Sequence, residues 1–479
     1  MPPKDYIRDR EDAQSKEDDG SFCSMIDGAP YFPNLIVGSS LALTVEERDK
    51  AIKRVIEHLI LQTATPKPEG EERARKPVLD SSSWKVTPVT GGNTNQLFCV
   101  SGMATSSRNG GLDIEFPNDS LLVRLFGADG MIDRDEETST YSTLANQGLA
   151  LKYYGRFGNG RIEEMLVGWS TLTEDDLMGQ REAGSSSIQK GLPPTNLNDS
   201  IARELARLHA TYELPSHLLV EGSSNDTERG EKGFSLPEPT LWTQLYPWLE
   251  RALEAKFLTE RDTQRANHEL NPPLATLKEE IDWLKSSVIG GGTENKEGSE
   301  TTSAGIGFCH NDLLASNIMM LTKAQTACGG SSDEEKPLLL EGLRFIDFEY
   351  GGINYYAYDI ANHFNEYAGG TAEEDNSTPD YNRCPNRQEQ RTFLEAYADE
   401  YNIAKANSVE SSKNGCITAE ELGARVDGFS LANHLVWGLW GVLQAATEGC
   451  EDGLDYLHYA KCRFDRYTRD KREKYESIS

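Results

Sequence analysis

The sequence predicts an α+β protein in two parts, a small sheet-rich region followed by a larger, mainly helical region. Short β-like runs separated by Gly, Asn and Asp turns occupy much of the chain up to about residue 170. Beyond that point, apolar residues recur mostly with the 3.6-residue period of helices. With 479 residues, the chain is long enough for two domains or for one large two-lobed protein.

The first region is predicted to contain a disordered tail at residues 1–25, two helices and five strands. The tail is charged and lacks the apolar segment of a signal peptide. Thr44 and Glu47 have the spacing of a capping box before an amphipathic helix. The later elements are WKVTPVT (84–90), NQLFCV (95–100), LLVRLF (121–126), a helix near 134–147, KYYGRF (152–157) and RIEEMLV (161–167). We therefore expect an N-terminal lobe of antiparallel sheet at 26–168 and a helical C-terminal lobe at 169–479.

The second region is predicted to contain at least five helices, separated by flexible insertions rich in Gly, Ser, Thr and Glu. The helical segments are 199–213, 240–255, 275–289, 391–402 and 428–447. The segment 428–447 contains no Asp, Glu, Lys or Arg, but it carries Asn433, His434 and Gln444 and has no positively charged flank. We expect it to be a buried helix and not a transmembrane segment.

Charge and cysteine content narrow the class of protein. The formal net charge of -30 argues against nucleic acid as a partner, because a phosphate backbone would be repelled. An acidic surface mildly favours a cationic substrate, although it also serves solubility. The eight cysteines form no CxxC pair and show no zinc-ligand spacing with His. They are typical of reduced thiols, so we expect a cytoplasmic protein.

A row of polar residues in the apolar stretch GFCHNDLLASNIMML (307–321) predicts a phosphotransferase site. Asp312 and Asn317 have the spacing of the catalytic-loop Asp and Asn of protein kinases, which accept the hydroxyl proton and bind Mg²⁺. Asp347, in LRFIDFEY, follows the next β-like run and is the expected second Mg²⁺ ligand. The runs IMML and LRFI are predicted to form a hairpin that brings the two metal ligands together. This pattern favours a two-lobed, protein-kinase-like fold.

Departures from the protein-kinase pattern point to a small-molecule kinase. Asn311 stands where protein kinases have Arg, DFE replaces DFG, and no APE motif follows. Several stretches resemble the choline/ethanolamine kinase family: PVTGGNTNQLFCV, LLVRLFG, DRDEE, HNDLLASN, FIDFEYGGINYYAYDIANHFNEY, HLVWGLWGVLQA and YAKCRFDRY. GGNTNQL, DRDEE and HNDLL are more similar to the ethanolamine kinases of that family.

The resemblance implies a nucleotide site in the N-terminal lobe, made of Gly91, Gly92, Asn93, Asn95, Arg124, Glu137, Glu164 and Leu166. The Gly-Gly turn would cover the phosphates, although such a turn by itself is usually only a hairpin. Arg124 lies in an apolar strand and needs an anionic partner, because an unpaired buried charge is costly. Glu137 is the candidate. Glu164 and Leu166 would belong to the hinge that contacts adenine.

The resemblance also implies a pocket for a cationic amino alcohol, formed by Glu349, Tyr350, Trp437, Trp440 and Tyr459. Trp437 and Trp440 are three residues apart and share a helix face, with Gln444 a further turn along. An aromatic pair on one helix face usually belongs to the hydrophobic core, and only the family resemblance favours a substrate pocket here. His310 is expected to be structural. Asp359, Asn362 and His363 are expected to brace the site from a helix.

These residues together predict ATP- and Mg²⁺-dependent phosphorylation of ethanolamine to phosphoethanolamine, in phosphatidylethanolamine synthesis. Choline is the nearest alternative substrate, since the pocket offers both carboxylates and aromatic rings. An aminoglycoside-like small-molecule kinase and a non-catalytic nucleotide-binding scaffold are more distant alternatives. No nucleic-acid partner and no transmembrane segment are expected, and a homodimer is possible.

Overall fold

The structure is a computed structural model that describes residues 24–26, 28–38, 43–63, 81–89, 95–103, 116–127, 133–178, 197–221, 234–290, 305–324, 338–371, 375–407, 416–451 and 453–476. The chain divides into two compact units, Met1–Gly168 and Trp169–Ser479. Most of the predicted disordered tail lies outside the described residues. Ser24 and Met25 form part of a strand, so these two residues do not belong to a disordered tail.

The described part of the first unit is a seven-stranded sheet with two long helices. Its strands are β1 (Ser24–Ile26), β2 (Ala29–Phe32), β3 (Lys85–Val89), β4 (Asn95–Ser101), β5 (Ser120–Phe126), β6 (Tyr153–Phe157) and β7 (Gly160–Glu164). Their order across the sheet is β1-β2-β6-β7-β5-β4-β3. The helices are α1 (Val45–Thr63) and α2 (Arg134–Asn146). The predicted capping box at the start of α1 is present, with Thr44 and Glu47 bonded to each other reciprocally.

The sheet is antiparallel except where β2 pairs with β6. These two strands run parallel, with Tyr31 opposite Arg156 and Phe32 opposite Phe157. The predicted antiparallel sheet is therefore confirmed for the other described strand pairs, and β2–β6 is the exception. The strand β2 escaped recognition because it is four residues long and three of the four are buried, so it lacks the alternation of a half-exposed strand.

The two faces of this sheet differ in chemistry. One face is apolar and packs against α1, whose inward residues Ile52, Val55, Ile56, Leu59 and Ile60 belong to the core cluster. Arg124, Arg161 and Arg156 lie directly opposite one another on β5, β7 and β6. Because side chains alternate between faces, these arginines share the face opposite the apolar core. Helix α2 contributes charged partners to that second face.

The second unit is mainly helical. Its helices are α3 (Glu174–Met178), α4 (Leu197–Thr211), α5 (Thr240–Glu254), α6 (Glu260–His268), α7 (Leu277–Trp283), α8 (Tyr356–Glu366), α9 (Arg387–Ala406), α10 (Ala419–Glu448) and α11 (Tyr456–Lys471). The predicted helix at 275–289 changes to a π-helical turn after Trp283. Helix α10 contains the apolar segment 428–447, and it is buried as predicted. Among the described residues, no helix is long and apolar enough to cross a lipid bilayer.

Short strands of the second unit position the segment 310–317, which contains Asp312 and Asn317. They are β8 (Ser170–Thr171), β9 (Val220–Glu221), β10 (Phe234–Ser235), β11 (Ile306–Cys309), β12 (Ile318–Ala324), β13 (Leu338–Phe345) and β14 (Gly352–Tyr355). Strands β12 and β13 form the antiparallel hairpin predicted from IMML and LRFI, with Ile318 opposite Phe345. Strand β11 pairs antiparallel with β14. The segment 310–317 therefore enters from one small sheet and leaves into the other.

Candidate functional site

Asp312 and Asn317 lie together in the loop between β11 and β12. Asn317 ends a short 3₁₀ turn, Ala315–Asn317. Its side-chain amide donates to the backbone oxygen of Asp312 at 2.8 Å and to the carboxylate of Asp312 at 3.3 Å. Both residues are only 8% exposed. The five-residue spacing seen in the sequence thus becomes a direct contact.

Asp347 is brought toward this loop by the backbone. The amide of Ile346 donates to the carbonyl oxygen of Asn317 at 3.0 Å, directly after the β12–β13 hairpin closes. Asp347 itself adopts a φ of 64°, in the left-handed region that Asn and Asp tolerate better than most residues. The predicted pair of metal ligands therefore belongs to two segments joined by one backbone hydrogen bond.

The donor set fits a hard divalent cation. Both hydrogen bonds of Asn317 use its Nδ2 atom, so its Oδ1 atom has no hydrogen-bond partner among the described residues. Amide and carboxylate oxygens are the ligands that Mg²⁺ prefers. Asn317 Oδ1 and the Asp347 carboxylate could therefore hold Mg²⁺.

Asp359, on α8, holds the start of the loop that contains Asp312. Its carboxylate accepts the backbone amide of His310 at 2.7 Å and that of Asn311 at 2.8 Å. It also bonds Nε2 of the fully buried His209 at 3.0 Å. Burial opposes ionisation of Asp359, but the His209 hydrogen bond and nearby charges lower its pKa below the usual range. An ionised carboxylate thus anchors the two residues before Asp312, where a brace was expected.

Two further residues of α8 extend this support. His363 bonds the carbonyl oxygen of Leu313 through Nδ1 at 3.0 Å, so it contacts the residue after Asp312. Asn362 accepts hydrogen bonds through Oδ1 from Trp437 Nε1 at 2.9 Å and from Asn433 at 2.7 Å. Helix α8 therefore connects the catalytic loop to the buried helix α10.

The surroundings of Asp312 are dry and negatively charged. Burial raises the pKa of Asp312 well above its usual range, and the charges of Glu366, Glu349 and Asp347 raise it further. The guanidinium of Arg463 opposes the shift. These surroundings therefore disfavour the ionised form of Asp312. A cation bound nearby would favour the carboxylate.

Four of the predicted substrate residues form a continuous aromatic set. Tyr350 and Trp437 meet edge to face at 5.3 Å between ring centres, and Trp437 and Trp440 at 5.8 Å. Trp440 and Tyr459 meet at 6.0 Å. Trp440 Nε1 is buried and has no hydrogen-bond partner among the described residues. Glu349, the fifth predicted residue, follows Asp347 by two positions and is half-buried.

Glu366 and Arg463 are site residues that the sequence reasoning missed. Arg463 is fully buried; it donates to Glu366 Oε1 at 2.5 Å and to the Tyr459 hydroxyl at 2.9 Å. Glu366 is 5% exposed, and its charge acts on Asp312 more strongly than that of Glu349. Both residues occur in quoted family stretches, NHFNEY and YAKCRFDRY. A charged residue at a buried helix position was the signal that could have found them.

In the first unit, Arg124 is 4% exposed and bonds Glu163 at 2.9 Å through Nε. Glu137, its expected partner, belongs to the same cluster but bonds Arg161 at 2.6 Å and Arg134 at 2.8 Å. Burial opposes ionisation of Glu163, but Arg124 and Arg161 lower its pKa to about 2. Arg124 therefore has an anionic partner, as the sequence predicts. That partner is Glu163, which the sequence analysis did not name.

The structure describes only some of the other residues that were predicted to bind the nucleotide. Gly91, Gly92 and Asn93 lie outside the described residues. Asn95 is buried at the start of β4. Glu164 ends β7, and its backbone amide donates to the carbonyl oxygen of Lys152 at 2.9 Å. Leu166, two residues later, is half-buried and belongs to no strand.

A sheet-rich unit and a helical unit with an Asp/Asn loop and a following Asp define the class of two-lobed, kinase-like phosphotransferases. The chain belongs to the choline/ethanolamine kinase family, whose model matches residues 86–468. Probable choline kinase 2 of Arabidopsis thaliana is 30% identical and is aligned over 82% of this chain and 87% of its own length. Ethanolamine kinase 1 of Homo sapiens is 29% identical over 74% of this chain and 63% of its own length. The fold also matches a choline kinase of Cryptosporidium parvum, with a TM-score of 0.56 and 22% identity over 88% of this chain and 96% of that one.

Proposed function

We propose that this kinase transfers the γ-phosphoryl group of ATP to the hydroxyl group of ethanolamine, for phosphatidylethanolamine synthesis. The hydroxyl oxygen forms the new bond to phosphorus, the bond to the bridging oxygen breaks, and ADP leaves. The Asp312 carboxylate orients the hydroxyl and accepts its proton, and phosphoethanolamine is the product. Mg²⁺ held by Asn317 and Asp347 would neutralise phosphate charge.

The observation that carries this proposal is the position of Asp312. It is buried, it contacts Asn317 directly, and three further carboxylates act on it. An Asp that served only as a turn residue would not need a loop held by other side chains, and it would not be buried among three other carboxylates. Such a site requires cations for its own neutralisation, and a divalent metal ion with an ammonium substrate supplies them. Binding of those cations would favour the ionised Asp312 that accepts a proton.

The carboxylates favour a primary ammonium group. A primary ammonium donates three hydrogen bonds and needs acceptors, whereas a quaternary ammonium donates none. Glu349 and Glu366 both act electrostatically on Asp312, so acceptors lie near the expected reaction centre. Ethanolamine satisfies such acceptors better than choline does.

The aromatic set supports choline as the second candidate substrate. Tyr350, Trp437, Trp440 and Tyr459 are in sequential ring contact. Aromatic faces attract quaternary ammonium groups, and clusters of rings are used to bind choline-type ligands. The same reaction on choline would use Asp312 and the metal ligands without change.

Purified protein with ATP and Mg²⁺ should be assayed separately with ethanolamine, choline and an aminoglycoside. We expect kcat/KM for ethanolamine to exceed that for choline by about tenfold, since one unsatisfied buried acceptor costs about 1–3 kcal/mol. Equal values, or a preference for choline, would reject the ethanolamine assignment. Turnover of the aminoglycoside alone would reject the amino-alcohol class.

The scaffold alternative is separated by a binding measurement. Titration calorimetry with ATP and Mg²⁺ reports nucleotide binding independently of turnover. Binding without turnover of any acceptor would favour a non-catalytic scaffold. Asp312→Ala provides the matched control, because it should abolish turnover while leaving ATP binding largely intact.

A further inference from the structure

We propose that Arg161 is a positioning residue of the nucleotide site. It bonds the buried carboxylate of Glu137 directly, and it holds Arg124 in place through the buried carboxylate of Glu163. The inference rests on the proposed function and on the nucleotide site that the family resemblance implies. In that site, Arg124 stands on the strand where protein kinases keep the Lys that holds the α- and β-phosphates of ATP. Neither the sequence pattern nor the expected Arg124–Glu137 ion pair pointed to Arg161. Its assignment comes from the arrangement of charges on the second face of the first unit's sheet.

Arg161 occupies the middle of the row formed by Arg124, Arg161 and Arg156. These residues lie directly opposite one another on three adjacent strands. Like charges directly opposite each other destabilise a sheet unless anions compensate them. The row therefore depends on carboxylates placed between its members.

Arg161 bonds two buried carboxylates. Its Nη1 atom donates to Glu137 Oε1 at 2.6 Å and its Nε atom to Glu163 Oε1 at 2.5 Å. The residue is 0% exposed, and its guanidinium lies 4.3 Å from the ring centre of Tyr141. The side chain is therefore held on three sides.

These bonds link Arg124 to helix α2 through Arg161. Glu163 Oε1 accepts from Arg124 Nε at 2.9 Å as well as from Arg161, and Glu163 Oε2 accepts from the Tyr141 hydroxyl at 3.2 Å. Glu137 in turn bonds Arg161 through one oxygen and Arg134 through the other. A displacement of Arg161 would therefore change the positions of both Arg124 and Glu137.

Arg161 also balances the attraction between Glu163 and Arg124. Arg124, Arg134 and Arg161 each contact Glu137 or Glu163. Without Arg161, the Glu163 carboxylate would lose one of its two guanidinium partners and attract Arg124 more strongly.

One donor of Arg161 argues against a purely structural ion pair. Its Nη2 atom is buried and has no hydrogen-bond partner among the described residues. An unsatisfied buried donor costs free energy. If Arg161 served only stability, this nitrogen would be expected to donate a hydrogen bond. If Arg161 serves to position its neighbours, the cost of the unsatisfied donor is acceptable.

The test measures nucleotide binding and amino-alcohol use separately in Arg161→Met. We expect KM and Kd for ATP to rise about tenfold or more, because Arg124 would no longer be held in the position that contacts the phosphates. KM for ethanolamine at saturating ATP should change less than about twofold, since the altered charges belong to the phosphate side. Arg161→Lys should recover part of the loss, because one ammonium keeps the charge but cannot reproduce two fixed guanidinium bonds.

Arg48→Met is the matched control. Arg48 lies 4.6 Å from the ring centre of Phe98 and bonds Asp49, on the apolar side of the same sheet. Its loss should leave KM for ATP within about twofold of the parent value. If Arg161→Met does not fold, Glu163→Gln removes the same link to Arg124 while keeping the shape of the side chain, and it should raise KM for ATP in the same way.

Two results would overturn the inference. One is a folded Arg161→Met protein, or a folded Glu163→Gln protein in its place, whose Kd for ATP equals that of the parent. The other is an equal rise of KM for ATP and for ethanolamine, which indicates general damage. Failure of the proposed function is distinguishable, because a parent protein that binds ATP without using ethanolamine still permits the Kd comparison.

Discussion

Asp359 accepts a hydrogen bond from the backbone amide of Asn311 at 2.8 Å, directly before the proposed catalytic residue. Asn311 has a φ of 65°, in the left-handed region that Asn tolerates better than most residues, and the Asp359 hydrogen bond helps to hold it there. Asp359 also accepts the His310 amide and bonds His209. The position of the next carboxylate, Asp312, thus depends on a side chain that need not touch substrate.

Asp359→Asn should therefore lower kcat about 100-fold, because a small misplacement of a reacting group is enough for such a loss. KM for ATP should change only about twofold to threefold. Steady-state kinetics measure both constants. Asp262→Asn is the control, since Asp262 is equally buried but bonds Thr259 and Arg265 in the α6 region. Equal kcat values for the two variants would contradict the role of Asp359.

Asp312→Asn should abolish turnover and yet stabilise the ligand-free protein at neutral pH. The pKa of Asp312 is raised in the folded state, so the native protein binds this proton more tightly than the unfolded chain. Parent stability therefore falls as pH rises from about 4 toward the folded-state pKa. Asparagine does not titrate and avoids this loss.

Thermal unfolding of both proteins between pH 5 and 8, without nucleotide or metal, measures the effect. The melting temperature of Asp312→Asn relative to the parent should increase with pH and exceed it by roughly 1–4 °C at the upper end. A variant that is less stable than the parent at pH 8 would refute a raised pKa at this position.

Replacement of Trp440 should discriminate between the two amino alcohols. Trp440 contacts Trp437 and Tyr459, and its Nε1 atom forms no hydrogen bond with any residue that the structure describes. Trp440→Phe keeps a ring and should raise either KM only about threefold, whereas Trp440→Leu should raise KM for choline about tenfold and that for ethanolamine less. Trp283→Leu is the control, because Trp283 packs against Lys471 and Tyr475 instead. Equal effects of Trp440→Leu on both substrates would place this residue in the core only.

His363 should make the protein less stable in mild acid. Burial lowers its pKa from the ordinary 6.5 to about 4, so in mild acid the unfolded chain takes up a proton that the folded protein resists. Its contribution to stability is complete above about pH 6.5 and is lost as pH falls toward 4, by at most about 3 kcal/mol. Burial shifts the pKa of His310 and His434 in the same direction.

Urea unfolding at pH 7 and at pH 4.5 measures this contribution. His363→Gln should show a smaller difference between the two pH values than the parent, even though it loses the bond to Leu313 at both. His58→Gln is the control, because His58 on α1 is only half-buried. An unchanged difference in His363→Gln would show that this imidazole does not drive the acid loss.

The elements around the site were predictable because their sequences carry local signals. The apolar runs IMML and LRFI flank the insertion 323–342, and they pair as expected, with Ile318 opposite Phe345. The five-residue spacing of Asp312 and Asn317 fixed their proximity, since a short 3₁₀ turn connects them. The aromatic set was predictable only with the family pattern, because Trp437 and Trp440 alone read as core.

Other features depend on contacts between distant segments and have no local signature. Glu163 was visible only as a strand residue, and its bond to Arg124 crosses 39 positions of the chain. Arg463 and Glu366 are 97 positions apart, and each sits on a helix whose periodicity does not reveal a buried partner. The parallel pairing of β2 with β6 was hidden because β2 is short and largely buried.

Helix α1 and strand β2 have a practical consequence for work with fragments. Both precede residue 86, where the family match begins. Yet α1 covers the apolar face of the sheet, and Asn159 of the β6–β7 turn bonds the backbone of Val37 through both its amide nitrogen and its oxygen. A truncated protein that starts at residue 86 would expose this apolar face to solvent, and exposed apolar surface promotes aggregation. Expression vectors for this kinase should therefore retain the sequence from residue 24 onward.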